Sequence, residues 1–127
     1  MILDTSFIID LLRNKKEAVE IAINIEQSFE PIGTTTITVF EILQGIKDAE
    51  KEKKEINTLL SSLGIFPFDL ESAFIAGDIQ KELVKHGEMI APEDCMIAGI
   101  VIKNKEVLLT RNTKHFGRIR DLKLEGY

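Results

Sequence analysis

Five short strand candidates recur along the chain: Met1–Leu3, Pro31–Thr35, Ile65–Phe68, Val107–Thr110 and Leu122–Leu124. The gaps between them are too long for hairpin turns, and most are filled with residues of helical periodicity. Antiparallel neighbours can join through a tight turn, whereas parallel strands need a crossover of about a dozen residues, usually a helix. This spacing predicts an α/β fold of three α/β/α layers, with helices on both faces of a short, mainly parallel sheet.

The intervening stretches read as helices with recognisable ends. Thr5–Leu12 carries Phe7, Ile8, Leu11 and Leu12 on one face, and Lys16–Ser28 turns Val19, Ala22, Ile23 and Ile25 inward. Thr36 or Thr38 can cap a helix running to about Lys47. Ala49–Leu63 begins with a solvated charge run, Glu50 to Glu55, and packs through Ile56, Leu59, Leu60 and Leu63. Asp69 or Ser72 can start a helix that carries Ala73, Phe74, Gly77 and Val84 and stops near Gly87. Pro92, a favoured first helical residue, opens Pro92–Asn104, which is apolar on most sides from Cys95 to Ile102 and so should be central. Arg111–Phe116 reads as a turn.

At 127 residues and 14.3 kDa the chain suits one domain, 1–127, with enough buried surface to fold without staples. A single cysteine, Cys95, excludes an internal disulfide framework and a cysteine-rich zinc module. No apolar run approaches a membrane span, and Met1–Asp4 lacks the basic start of a secretory signal. The expectation is a cytoplasmic protein with no membrane partner. The net charge of −5 argues against a blanket nucleic-acid binder. Yet residues 103–123 hold seven basic and two acidic side chains, a basic end on an acidic body. Such asymmetry suits either a one-sided polyanion contact or a solvated surface.

Three acids stand out. Asp4 directly follows the first strand, where open parallel sheets form their sites; it can equally be a helix N-cap. Glu41 lies among apolar neighbours and shares a face with Thr38 and Gly45. Gly45 costs a helix about 1 kcal/mol against alanine, which suggests a close approach to the backbone or tight packing. Asp94 shares its face with Ile97, Ala98 and Val101, where a buried carboxylate must be paired or metal-bound; its neighbour Glu93 is accounted for by the helix dipole. Thr110, Arg111 and Asn112 follow the fourth strand at the edge where Asp4 stands. His86 and His115 belong to no metal-binding pattern. Nucleotide-cradling glycine motifs and a G-x-S-x-G elbow at Ser6 are absent. Several carboxylates around one point repel unless a divalent cation lies between them, and oxygen-only donors favour Mg²⁺ or Mn²⁺ over zinc. Such an ion can activate water and neutralise a phosphodiester.

The segments I-L-D-T-S-F-I-I-D at 2–10, T-V-F-E-I-L-Q-G at 38–45, P-E-D-C-M-I-A at 92–98 and L-L-T-R-N-T-K-H-F at 108–116 resemble the PIN-domain ribonucleases, specifically VapC toxins of toxin–antitoxin pairs. The resemblance spans nearly the whole chain, in order and spacing. It implies a PIN-like α/β/α domain and Mg²⁺- or Mn²⁺-dependent endonucleolytic cleavage of RNA. Asp4, Glu41 and Asp94 match the family's three most constant acids, as catalytic and metal-holding residues. Ser6 matches a supporting hydroxyl, with Thr110 and Asn112 as further support. Asn112 stands where the family commonly has a fourth acid, which brings an oxygen without a charge. Arg111, Lys114 and Arg118 are the candidate RNA contacts, with Arg120 further along. A homodimer and a VapB-like antitoxin are implied partners; Phe7, Ile8, Leu11, Leu12, Phe66 and Phe68 are candidate interface residues. The alternative class is a PIN-like RNA-binding or antitoxin-binding module without turnover. A flap-cutting DNA nuclease would need more acids and extra DNA-gripping elements.

Overall fold

The computed structural model describes residues 1–127 except the side chain of Ala49. Its elements run in the order β1 (Ile2–Leu3), α1 (Thr5–Leu12), α2 (Lys16–Ser28), β2 (Gly33–Thr35), α3 (Thr36–Gln44), α4 (Ala49–Leu60), β3 (Gly64–Phe66), α5 (Leu70–Lys85), α6 (Pro92–Lys103), β4 (Val107–Thr110), α7 (Thr113–Phe116) and β5 (Lys123–Gly126). All strand pairs are parallel, in the spatial order β3-β2-β1-β4-β5. The expected three-layer α/β/α architecture is what forms.

Two adjacent residues in β1 and two in β4 show how the layers arise. Ile2 pairs with Leu108 and Leu3 with Leu109. Alternate side chains of a strand point to opposite faces. Ile2 and Leu108 accordingly enter one core, with Ala76, Leu83, Cys95, Ile97 and Phe116. Leu3 and Leu109 enter the other, with Phe7, Ile8, Ala18, Ile42 and Ile56. Helices α5 and α6 cover the first face, and α1 to α4 the second. Cys95, Ile97, Ala98, Ile100 and Val101 are all at most 2% exposed, so α6 is the central helix its composition implied.

Several helix faces and ends depart from expectation. The cap of α3 is Thr35, whose Oγ1 accepts from Thr38 N at 2.9 Å; Thr36 instead uses its hydroxyl to accept from Phe68 N. Helix α3 stops at Gln44, and α4 at Leu60. In α2 the inward residues are Ala18, Ile21, Ala22 and Ile25; Ile23 is 46% exposed. In α5 the buried face is Ser72, Ala76 and Leu83, whereas Phe74 and Val84 face outward at 69% and 59% exposure. Helix α6 carries a glycine against this face: a Cβ at Gly99 would lie 2.5 Å from the Ser72 carbonyl oxygen. The two helices meet through small residues, which leaves no room for Phe74 between them. The segment after β4 is a short helix, α7, rather than a plain turn.

Candidate active site

Strand β1 is central, and the chain leaves it first toward β2 and β3, then returns to its other side as β4 and β5. The crevice beyond the carboxyl ends of β1 and β4 is therefore the topological switch point, where open α/β sheets form sites. Asp4 and Thr110 lie there by register.

Asp4 occupies the N-cap position of α1, yet its side chain makes no capping hydrogen bond. It is 3% exposed, and Oδ2 accepts from Thr110 Oγ1 at 2.6 Å and Ser6 Oγ at 2.8 Å. The N-cap account of Asp4 thus fails on geometry, because the carboxylate is turned across the sheet. Among the described residues no hydrogen-bond donor reaches Oδ1. Thr110 Oγ1 also accepts from Asn112 N at 3.0 Å, and Ser6 Oγ from Arg111 N at 3.3 Å, so the turn after β4 is folded onto these two hydroxyls.

Glu41 is half-buried on α3, and Oε1 accepts from Thr5 Oγ1 at 2.8 Å. Burial pushes its carboxyl above the ordinary range; the Thr5 bond opposes this, and the charges of Asp94, Asp4 and Glu93 add to it. Asp94, in the first turn of α6, is raised in the same way, by burial first and then by Asp4 and Glu93, against the pull of His115. His115 Nε2 donates to Asp94 Oδ2 at 2.8 Å. The three acids come from three separate elements; the charge of Asp4 reaches Glu41 and Asp94, and that of Asp94 reaches Glu41.

Oxygen donors, mutual repulsion and an uncommitted Asp4 Oδ1 fit a hard divalent cation. Among the described residues no group of three or more His, Cys, Asp or Glu side chains lies close enough together to hold a metal ion by itself. Mg²⁺ usually keeps several waters and takes only one or two carboxylates, so an open arrangement suits it.

Other expected participants fall elsewhere. Arg111 Nη1 donates to Asp10 Oδ2 at 2.6 Å, so its guanidinium is held by the protein itself. Lys103 is likewise paired with Asp69, at 2.6 Å. Arg118 reaches the Met89 carbonyl oxygen at 3.5 Å and lines a cavity of about 490 Å³ beside α5, with Asp78, Glu82 and Arg120. Asn112 contributes its backbone N–H, not its side chain, to the hydrogen-bonded turn. Lys114 is exposed. Gly45 is the exposed C-cap of α3, and a Cβ there would meet only ordinary contacts at 3.7 Å. His115, Thr5 and Asp10 had no local sequence signal of a role. Their partners are Asp94, Glu41 and Arg111, at 21, 36 and 101 residues' separation.

The sequence profile of the PIN domain matches residues 1–122. The tRNA(fMet)-specific endonuclease VapC of Shigella flexneri is 27% identical, over 98% of this chain and 96% of that protein. Among solved structures, VapBC2 from Rickettsia felis bound to a promoter DNA fragment superposes with a TM-score of 0.90 at 25% identity, covering 99% of this chain and 97% of that one. DNA-bound VapBC from Salmonella typhimurium superposes at 0.88 with 28% identity, covering 98% and 96%.

Proposed function

This chain belongs to the PIN domain family, and on that footing we propose that it is a divalent-metal-dependent endoribonuclease, the toxin of a VapBC-type pair. The observation that best supports the reading is the Asp4 carboxylate, buried at the switch point and turned away from its helix cap, with its charge felt at Glu41 and Asp94. The names of the relatives, endonuclease and ribonuclease VapC, support it.

Asp4, Glu41 and Asp94 would hold Mg²⁺ or Mn²⁺. When bound, the cation supplies charge neutralisation at the phosphodiester and activation of water. The chain's own contribution is orientation. Ser6 and Thr110 fix Oδ2 of Asp4, Thr5 fixes Oε1 of Glu41, and His115 fixes Oδ2 of Asp94. Asn112 brings no acid, so the negative charge of the site rests on these three and Glu93. Incubation with a transfer RNA should give discrete internal cuts with Mg²⁺ or Mn²⁺ and none after chelation. Binding without any cut, under either metal, would leave the silent binding module as the better account.

Among the basic residues Lys114 supports RNA positioning best, because it is exposed, bears no ion pair among the described residues and adjoins His115. Lys114→Glu should weaken RNA binding and flatten its salt dependence by about one released counterion. An unchanged salt slope would reduce Lys114 to a solvated surface charge.

A VapB-like antitoxin partner is supported by the VapBC complexes among the structural neighbours. A basic segment of such a partner would suit the acidic site. We also propose a homodimer, though not through all the residues first expected: Phe7 and Ile8 are wholly buried and cannot contribute. Leu70 and Phe74, one turn apart on α5 and both mostly exposed, support an interface better. Light scattering at high micromolar concentration should give twice 14.3 kDa; a monomer mass rejects the dimer.

A further inference from the structure

The last residue of β4 and the segment that follows it touch three carboxylates in turn. Thr110 holds Asp4, Arg111 holds Asp10, and His115 holds Asp94. Two of these acids belong to the candidate site. The third, Asp10, does not, and its surroundings are unusual. It is 2% exposed and lies on α1; its Oδ2 accepts from Arg111 Nη1 at 2.6 Å and Tyr127 Oη at 2.9 Å, while the buried Oδ1 has no hydrogen bond and only the charge of Lys15 Nζ at 2.8 Å. A buried carboxylate with this many partners is costly to assemble, and losing one partner is costlier still.

Register explains why Arg111 and Tyr127 meet on one acid. Thr110 pairs with Gly126 in the parallel β4–β5 ladder, so the residues that follow emerge side by side. A Cβ at Gly126 would lie 2.7 Å from Thr113 Cγ2, so the glycine lets α7 sit down on β5. The Tyr127 ring packs edge-on against Phe7 at 5.1 Å, tying the end of β5 to α1. The Arg111 backbone N–H in turn donates to Ser6 Oγ, the hydroxyl that holds Asp4. One side chain thus faces the buried acid while its own backbone faces the site.

We propose that Asp10, Arg111 and Tyr127 form an anchor that sets where the 110–116 segment lies, and so how far apart Asp4 and Asp94 are held. Arg111 is on this account a positioning residue rather than an RNA contact. The inference rests on the proposed reading of Asp4, Glu41 and Asp94 as metal-holding residues for its consequence in cation binding, and on the nuclease reading as well for its consequence in catalysis.

The test is Mn²⁺ affinity, read from the free-ion resonance on titration, together with steady-state RNA cleavage, for wild type, Arg111→Ala, Arg111→Lys, Asp10→Asn, Tyr127→Phe and the double variant Asp10→Asn/Arg111→Ala. Partners of metal-holding groups commonly carry about 10-fold or more in metal affinity. Arg111→Ala should weaken Mn²⁺ by about that factor and lower kcat with little change in KM, and Arg111→Lys should restore most of both. The double variant should be no worse than the more affected single one, since both remove one coupling. Wild-type Mn²⁺ affinity in Arg111→Ala, with KM for RNA raised and the salt dependence flattened, would overturn the anchor and return Arg111 to the RNA surface. If Arg111→Ala does not fold, Tyr127→Phe decides: it should weaken Mn²⁺ in the same direction, and unchanged affinity counts against the proposal. The Mn²⁺ titration needs no RNA, so it tests the anchor even where wild type cuts nothing and the nuclease reading itself has failed.

Discussion

Asp4→Asn, Glu41→Gln and Asp94→Asn are each expected to lower metal-dependent RNA cleavage by at least about 100-fold, as loss of one group that stabilises transition-state charge commonly does. Each removes a charge with little change in volume, so the fold should persist. Glu41→Gln adds a stability readout that fixes the sign of the electrostatics. The Glu41 carboxyl lies above the ordinary range, chiefly because burial disfavours its charge. A carboxyl raised in the folded state is a destabilising charge above its folded pKa, and the penalty lifts as pH falls through that value. Gln carries no such penalty, and its Oε1 can still accept from Thr5. At neutral pH without added metal, Glu41→Gln should therefore melt above wild type. The advantage should shrink toward acid pH, where Glu41 itself becomes neutral. Wild-type cleavage in two or more of the three variants would reject the site, and a lower melting point for Glu41→Gln at neutral pH would reject the account of its field.

A larger effect on the fold is expected from Gly99→Val. The added Cβ would meet the Ser72 carbonyl oxygen at 2.5 Å and Ala76 at 3.1 Å. The first of these is backbone in the first turn of α5 and cannot swing aside. Overpacking of this kind costs on the order of 3 kcal/mol, or roughly 10 °C in Tm for a domain of this size. Gly77→Ala on α5 is the contrasting case: it is helical and exposed, and a Cβ there meets nothing within 4 Å. That change should stabilise by about 0.5–1 kcal/mol through helix propensity alone. Chemical denaturation of both variants separates the two expectations. Equal stabilities would mean that α5 and α6 pack less closely than their backbones indicate.

The amino-acid sequence was sufficient for much of what depends on neighbours a few positions away, though not for the Thr35 cap of α3 or the ends of α3 and α4. Thr5–Leu12, Lys16–Ser28 and Val107–Thr110 have the ends their apolar spacing indicates. The long gaps between strands pointed to a mainly parallel sheet, and every strand pair is parallel. Asp4, Glu41 and Asp94 were legible as candidates because each breaks a local pattern: an acid at a strand end, an acid among apolar residues, an acid on an apolar stripe. Periodicity also says that a helix has an apolar face, but not which of two such faces is covered. Ile23, Phe74 and Val84 lie outside because α2 packs inward through Ala18 and α5 packs against α6 through Ala76 opposite Gly99. The destinations of the polar side chains were beyond local reading altogether. Asp4 meets Thr110 across 106 residues, Asp10 meets Arg111 across 101, and Asp10 meets Tyr127 across 117. Those pairings are set by the register of β1, β4 and β5, and register is a property of strands laid side by side. A basic run that reads as one positive surface is thereby divided, with Arg111 drawn to a buried acid and Lys114 left exposed.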